Sequence, residues 1–502
     1  MKVFTRSSVV AATILTAAGW GASATAGTVS VLVVPPFPPE RYADRGAVGL
    51  LVPGAGPTVT GAGARASLVR GKVQSSVLGG LPSGPPLFEL GTAPARTTIY
   101  VSLPTPGTHL NRRRYGIAIV GPGYHGLLVS SQTHVPGLIA IADVAPTVVA
   151  LQEGHKPVIQ ARADADAPAR LQSLNDRFRH LGGARLWSRI VTLGSTFLLA
   201  LIAAIVRSSL FGRAALLAAP FGVAGVIILS ALGSTGTLAT IALVSMLSIP
   251  GSLAAAAFAW TRLRVSAVFA ALVAAFLLVL VVWPQVPALA AIGPRPDGGG
   301  RFYGITNSLE TLLLLPTLVP AAVLGMAGLA AVGLLALVTV GWSRAGADGG
   351  GVIVILAGLA VLGARVRHTE LTTRRVFVWA GAVVALAAVF VALDAVTGGS
   401  SHVTRALGGG PSSLAGDFGH RIHLSYNSAT ESWRTLAVLL GCLTGIAILA
   451  LRRPRTPLLE AFGAAILVSM LVNDSPRDVS LFGFAACAAL WSWERARLPG
   501  RV

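Results

Sequence analysis

Lysine is nearly missing from this chain: only Lys2, Lys72 and Lys156 interrupt an otherwise all-arginine set of 39 basic residues. Acidic residues are also scarce, at 19, and charged residues of either sign make up 12% of the sequence. A soluble globular domain carries roughly 25%, so the composition excludes one as the main body of the protein. With two cysteines, Cys442 and Cys487, both inside apolar runs, neither a disulfide framework nor a thiolate metal site is supported. A formal net charge of +20 would suit a polyanion partner, but the arginines stand in short clusters between apolar runs rather than along one polar face. Nucleic acid is therefore excluded, and the charge reads as membrane topology.

What is abundant is apolar: 53% of the residues are hydrophobic and the mean hydropathy is +0.72. Lys2 and Arg6 precede an apolar stretch from Val9 to Trp20, followed by the small-x-small pattern Ala24-Thr25-Ala26. This predicts a signal peptide over 1–26, with an uncleaved signal anchor as the alternative. Residues 27–185 hold no apolar run long enough to span a bilayer and contain Pro, Gly and charge throughout, so they are expected to form an extracytoplasmic α/β domain.

From 186 to 502 the apolar runs are 190–206, 214–232, 238–260, 265–283, 309–325, 326–342, 351–364, 376–396, 435–451, 458–472 and 479–493. The fold class is thus an α-helical polytopic membrane protein of about 11 transmembrane helices behind the N-terminal domain. The stretch Leu309 to Trp342 decides the parity. A single helix there would extend about 51 Å against a hydrocarbon core of about 30 Å. Two short helices meeting near Gly325 place Arg207, Arg213, Arg262, Arg264, Arg365, Arg367, Arg374, Arg375, Arg452, Arg453, Arg455, Arg495, Arg497 and Arg501 on one side. By the positive-inside rule that side is cytoplasmic, with the C-terminus, and the protein belongs in the cell membrane.

The turns assigned inside are short and basic. The loops assigned outside, above all 284–308 and 397–434, are long and chemically varied, so function is expected there. Arg301-Phe302-Tyr303-Gly304-Ile305-Thr306-Asn307 enters a helix with Glu310 one turn in. An arginine beside free helix N-terminal amides suits an anionic group such as phosphate. The alternative is interfacial anchoring by Tyr303 and Arg301, with Asn307 as helix cap. Arg344 and Asp348 lie in the next outer turn, where Arg344 could complete a two-arginine clamp. Asp417, His420, Arg421 and His423 fall within seven positions. On a helix Asp417 would orient His420 beside Arg421, a general base with an electrostatic partner, and a structural loop is the competing reading. Their spacing matches no zinc signature. Asp474, in Asn473-Asp474-Ser475-Pro476, is either a supporting polar group or a turn residue.

Arg301, Gly304 and Asn307, followed after about thirty apolar residues by Ser343-Arg344-Ala345-Gly346, resemble the O-antigen ligase and polymerase superfamily over about 290–450. That resemblance implies diphosphate binding by Arg301 and Arg344 and an external-loop base at His420 or His423. The N-terminal domain resembles the alkaline phosphatase superfamily. Asp143-Val144-Ala145-Pro146-Thr147 matches its Asp-x-x-Pro-Thr strand-to-helix junction, and Pro57-Thr58-Val59-Thr60 its Pro-x-x-Thr segment, which puts Thr60 at the nucleophile position. Departures are Pro35-Pro36, where that family has a metal-binding aspartate, and Tyr124 before His125, where it has Asp-His-Gly. A two-metal phosphatase needs those carboxylates, so the expectation is a degenerate binding domain without metal. Together the halves resemble actinobacterial membrane proteins of this composite layout.

The expected function is handling of a polyprenyl-phosphate-linked glycan or similar anionic lipid at the outer leaflet, by glycan transfer or ligation, with no cofactor. The alternatives are a transporter or lipid flippase, which would spread ionisable groups through the bundle, and a non-catalytic envelope scaffold that recruits other envelope proteins through its N-terminal domain.

Overall fold

The computed structural model describes residues 29–77, 79–369, 372–396, 419, 423, 425–452 and 456–496. The segment 1–26 lies outside them, as do Asp417, His420 and Arg421.

The N-terminal part is a mixed sheet with helices on both faces. Its elements are β1 (Val29–Val33), α1 (Glu40–Ala43), β2 (Ala47–Val52), β3 (Thr58–Thr60), α2 (Gly61–Arg70), β4 (Thr97–Val101), β5 (Thr108–Leu110), β6 (Tyr115–Val120), β7 (Gly126–Ser130), β8 (Leu138–Ala140), α3 (Val144–Gln152) and β9 (Ile159–Arg162). Strands run in the order β1-β4-β6-β2-β7-β9, with β8 also on β2, while β3 and β5 form a separate pair. The period of two along β2 sorts its side chains between two cores. Ala47 and Leu51 join Ile117, Ile119, Leu68 and Val148 on the face covered by α2 and α3. Val48, Leu50 and Val52 face the other way, toward Phe37, Tyr42, Leu171 and Phe178.

That second core carries the domain onto the rest of the molecule. Leu171 and Phe178 belong to α4 (Ala167–Val206), a continuous helix of 40 residues. The join at 185 therefore lies inside a helix. At about 1.5 Å per residue it reaches some 60 Å, long enough to run through the docking layer and a bilayer core. Ala288, Leu289, Phe302 and Tyr303, from the loop after the fourth long helix of the bundle, pack into the same core. The N-terminal domain is thus seated on the polypeptide that carries Arg301.

The bundle continues with α5 (Ser209–Ala231), α6 (Thr237–Met246), a π-turn over Leu247–Gly251, α7 (Ser252–Phe258), α8 (Arg262–Val282), α9 (Gln285–Ala288), α10 (Asn307–Gly341), α11 (Gly349–Val366) and α12 (Thr373–Val396), then α13 (Trp433–Leu451), α14 (Pro457–Val472) and α15 (Pro476–Arg495). Among the described residues eight helices, with α6 and α7 counted as one, are long and apolar enough to cross a membrane. α10 does not run straight. Gly325 sits inside it at φ 63° and ψ −141°, a backbone region open essentially to glycine. Both ends of α10 meet at one place: a Cβ built on Gly351 would touch both Val340 and the Glu310 side chain. The chain turns back on itself at Gly325, as the length argument predicted.

The polar groups separate to opposite ends. At one end Arg262 lies over Trp493, Arg452 and Arg495 over Trp491, and Arg365 pairs with Glu460 at 2.5 Å. At the other end are the N-terminal domain and the turns before α10, before α11 and before α15. The basic turns therefore share one end of the bundle.

Candidate functional site

The non-basic end is built from the starts of α10, α11 and α15 and the outer part of α4. Thr306 caps α10, its hydroxyl accepting from Leu309 N at 3.3 Å. Asn307 is the first helical residue rather than the cap. Its Nδ2 donates to Asp474 Oδ1 at 2.8 Å and to Ser475 Oγ at 2.6 Å, tying α10 to the turn before α15. Next to it Ser308 Oγ reaches Asp478 Oδ2 at 3.4 Å, and Arg189 of α4 grips Asp478 through two bonds, at 3.2 and 2.9 Å.

One turn further in, Glu310 is fully buried. Asn473 Nδ2 donates to its Oε2 at 2.7 Å and to Ser469 Oγ at 2.7 Å. Asp348, 1% exposed, caps α11 by accepting from Gly351 N at 3.3 Å on Oδ1, and its Oδ2 lies 3.5 Å from Arg301 Nη1. Arg301 Nη1 also donates to the Ile305 carbonyl. Burial alone would pull this guanidinium down, but Asp348, Asp474 and Glu310 outweigh it and hold it above the ordinary arginine value. All recorded bonds leave from Nη1, and the side chain is 32% exposed. The Nε/Nη2 edge of the fork has no partner among the described residues.

The loop carrying Arg301 abuts the one carrying Arg344. Ile305 N donates to Gly346 O at 2.8 Å, and Gly304, at φ +88°, has no room for a Cβ because Gly346 O would lie 2.1 Å away. Arg344 is exposed and makes no ion pair among the described residues. The flanking Ser343 is buried and bonds Asp394 Oδ1 through both its N–H, at 3.2 Å, and its hydroxyl, at 2.9 Å. The structure therefore brings together Arg301, Arg344, Asn307, Glu310, Asp348 and Asp474. Of the 397–434 loop, His423 is exposed and its Nδ1 faces Asn427 Nδ2 at 3.3 Å. No family model, no curated protein and no solved structure matches this chain.

Several groups that hold this site were not expected there from the sequence. Arg185 of α4 binds Asp297 through two bonds, at 3.0 and 2.5 Å. Burial by itself would raise the Asp297 carboxyl, but those bonds and the charges of Arg185 and Arg114 take it below the ordinary value. Asn111 Nδ2 donates to the carbonyls of Gly54, Gly56 and Gly298. His134, at φ +53°, stacks on Tyr303 with ring centroids 4.0 Å apart. Each link joins the N-terminal domain or its helix to residues 297–303.

Within the domain, Thr60 ends β3 and caps α2, accepting from Gly63 N at 3.0 Å and facing Gln74 Oε1 at 3.3 Å. The Asp143 segment is a strand-to-helix junction, as expected, and Asp143 Oδ2 accepts from Ser130 Oγ at 2.7 Å. Among the described residues no group of three or more His, Cys, Asp or Glu is placed to hold a metal. An open groove of about 650 Å³ between α4 and the 233–235 turn is lined by Arg170, Asp176, Arg177 and His180, with Leu289 at its side.

Proposed function

We propose that this is a cell-envelope membrane protein that binds a diphosphate-linked lipid, such as a polyprenyl-linked glycan, at the outer leaflet and transfers or ligates its glycan. The observation that carries the reading is the pair of abutting arginine loops. Among the described residues Arg301 keeps one edge of its fork unpaired, and Arg344 is exposed in the abutting loop. A planar fork and a second guanidinium suit the oxygens of a diphosphate.

The reading counts about eleven spans: the eight long apolar helices, with α10 taken as two arms, together with α14 and α15. Gathering of the basic turns at one end supports a cytoplasmic face there and an extracytoplasmic N-terminal domain. In the transfer step an acceptor hydroxyl oxygen would attack the anomeric carbon and the bond to the diphosphate oxygen would break. The hydroxyl proton would pass to His420, oriented by Asp417, and Arg301 and Arg344 would hold the departing diphosphate charge. Arg421 and His423 would line the same loop.

The test is binding of a polyprenyl diphosphate glycan to the full chain in nanodiscs. Saturable binding that weakens about 10- to 100-fold in Arg344→Ala, the range for a lost charge-assisted hydrogen bond, supports the proposal. Equal binding by wild type and Arg344→Ala removes it.

A further inference from the structure

Beneath the arginine loops lies a cradle of oxygen atoms that diphosphate binding does not use. Glu310 and Asn473 are 0% and 2% exposed, yet among the described residues Glu310 Oε1 and Asn473 Oδ1 lack a hydrogen-bond partner, with the Ser469 hydroxyl a further neighbour of the Glu310 carboxylate. A buried polar oxygen in that state needs a reason. Both lie around the bare start of α11. A Cβ on Gly350 would sit 3.0 Å from Asn473 Oδ1 and 3.6 Å from Asp348 Oδ1. On the adjacent Gly351, a Cβ would sit 3.1 Å from Glu310 Cγ and 3.3 Å from Asp348 Oδ2. Gly350 thus leaves bare the backbone onto which these side chains converge, while the Gly351 position is closed by Val340 Cγ1, 2.5 Å from a built Cβ.

Charge points the same way as the unfilled oxygens. Glu310 and Asp348 are buried carboxylates facing one guanidinium, Arg301. The neighbouring pairs, Arg189 with Asp478 and Arg185 with Asp297, are already balanced, and Asp474 is exposed to screening solvent. One negative charge is left over in a place where an uncompensated charge is costly. A proton on Glu310 would cancel it and could be donated to Asn473 Oδ1, an alternative that differs from a cation in depending on pH rather than on Na⁺. A water could donate to both oxygens and would leave the charge. A small monovalent cation answers both requirements, and hard cations take carboxylate and amide oxygens as ligands.

We infer that Glu310, Asn473 and Asp348 form a binding site for one Na⁺ ion at the start of α11. The ion would tie the two ends of the α10 hairpin to α11 and α14, directly under Arg301. This assignment stands apart from the glycan reading and is tested without a glycan.

The experiment follows the thermal unfolding midpoint of the purified full chain in detergent while NaCl replaces choline chloride at constant ionic strength, at about pH 6 and about pH 8. The expected result is a saturable rise with Na⁺ at both pH values, lost in Glu310→Gln and in Gly350→Ala. The second variant alters no charge and places a methyl group in the cradle, so it carries the test if Glu310→Gln fails to fold. Identical midpoints in NaCl and choline chloride would overturn the assignment. So would a midpoint that moves with pH but not with Na⁺, which would mean a proton in place of the cation, or a Na⁺ response that survives in Gly350→Ala.

Discussion

Arg301 gives one nitrogen to Asp348 and to the Ile305 carbonyl and keeps the rest of its fork. A buried carboxylate on one edge fixes the plane of the guanidinium, so less side-chain entropy is lost when an anion arrives on the other. The plane is fixed in turn by what holds the loop, and His134 is the histidine that packs there. Burial lowers its imidazole below the ordinary histidine value, with a weaker opposing effect from the hydrogen bond it donates to the Ser131 backbone. With the folded value depressed, the neutral form is the one the stack favours. Its contribution is full above the unfolded value of about 6.5 and is lost as pH falls through the lower folded one. Amide hydrogen exchange over 297–306, corrected for intrinsic chemistry, should accelerate between about pH 7 and about pH 5, and His134→Gln should remove that step. An unchanged profile in the variant would mean that His134 does not secure the loop.

The α10 hairpin is the element on which the site depends, since it returns Val340 to the neighbourhood of Glu310. Its turn rests on Gly325, where no atom lies within 4 Å of a built Cβ. The cost of Gly325→Ala is therefore backbone strain alone, about 1–3 kcal/mol, read as a lower unfolding midpoint. Gly381→Ala, equally open but inside regular helix α12, should be neutral or stabilising. Equal behaviour of the two would contradict a glycine-dependent turn. The hairpin was legible in the sequence because apolar length against bilayer thickness is a hard constraint. So were Arg301, Glu310 and Asp348, because charges stand out in apolar surroundings. α4 was not legible as one helix: Arg170, Arg177, Arg179 and Arg185, with Asn175, Asp176 and a Gly182-Gly183 pair, mask the stripe of Leu171, Phe178 and Leu181 in its first half. Neither were Arg185 with Asp297 nor Asn111 with Gly298, whose partners lie 112 and 187 residues apart and meet only in the folded chain.

Taken as a whole, the molecule has a basic end and an end where buried acids, amides and arginines meet beneath a docked α/β domain. The docking layer consists of a shared apolar core, a two-bond ion pair and a stacked ring, so the N-terminal domain acts as part of the site's frame. The proposed handling of an outer-leaflet lipid requires that this end face outward. Sided labelling of one introduced cysteine at a time is the most direct measurement, since the native Cys442 and Cys487 are buried and add little background. In intact cells a membrane-impermeant maleimide should label Arg344→Cys and leave Arg367→Cys unlabelled until the membrane is opened. Labelling of position 367 from outside, with 344 protected, would invert the molecule and contradict the account.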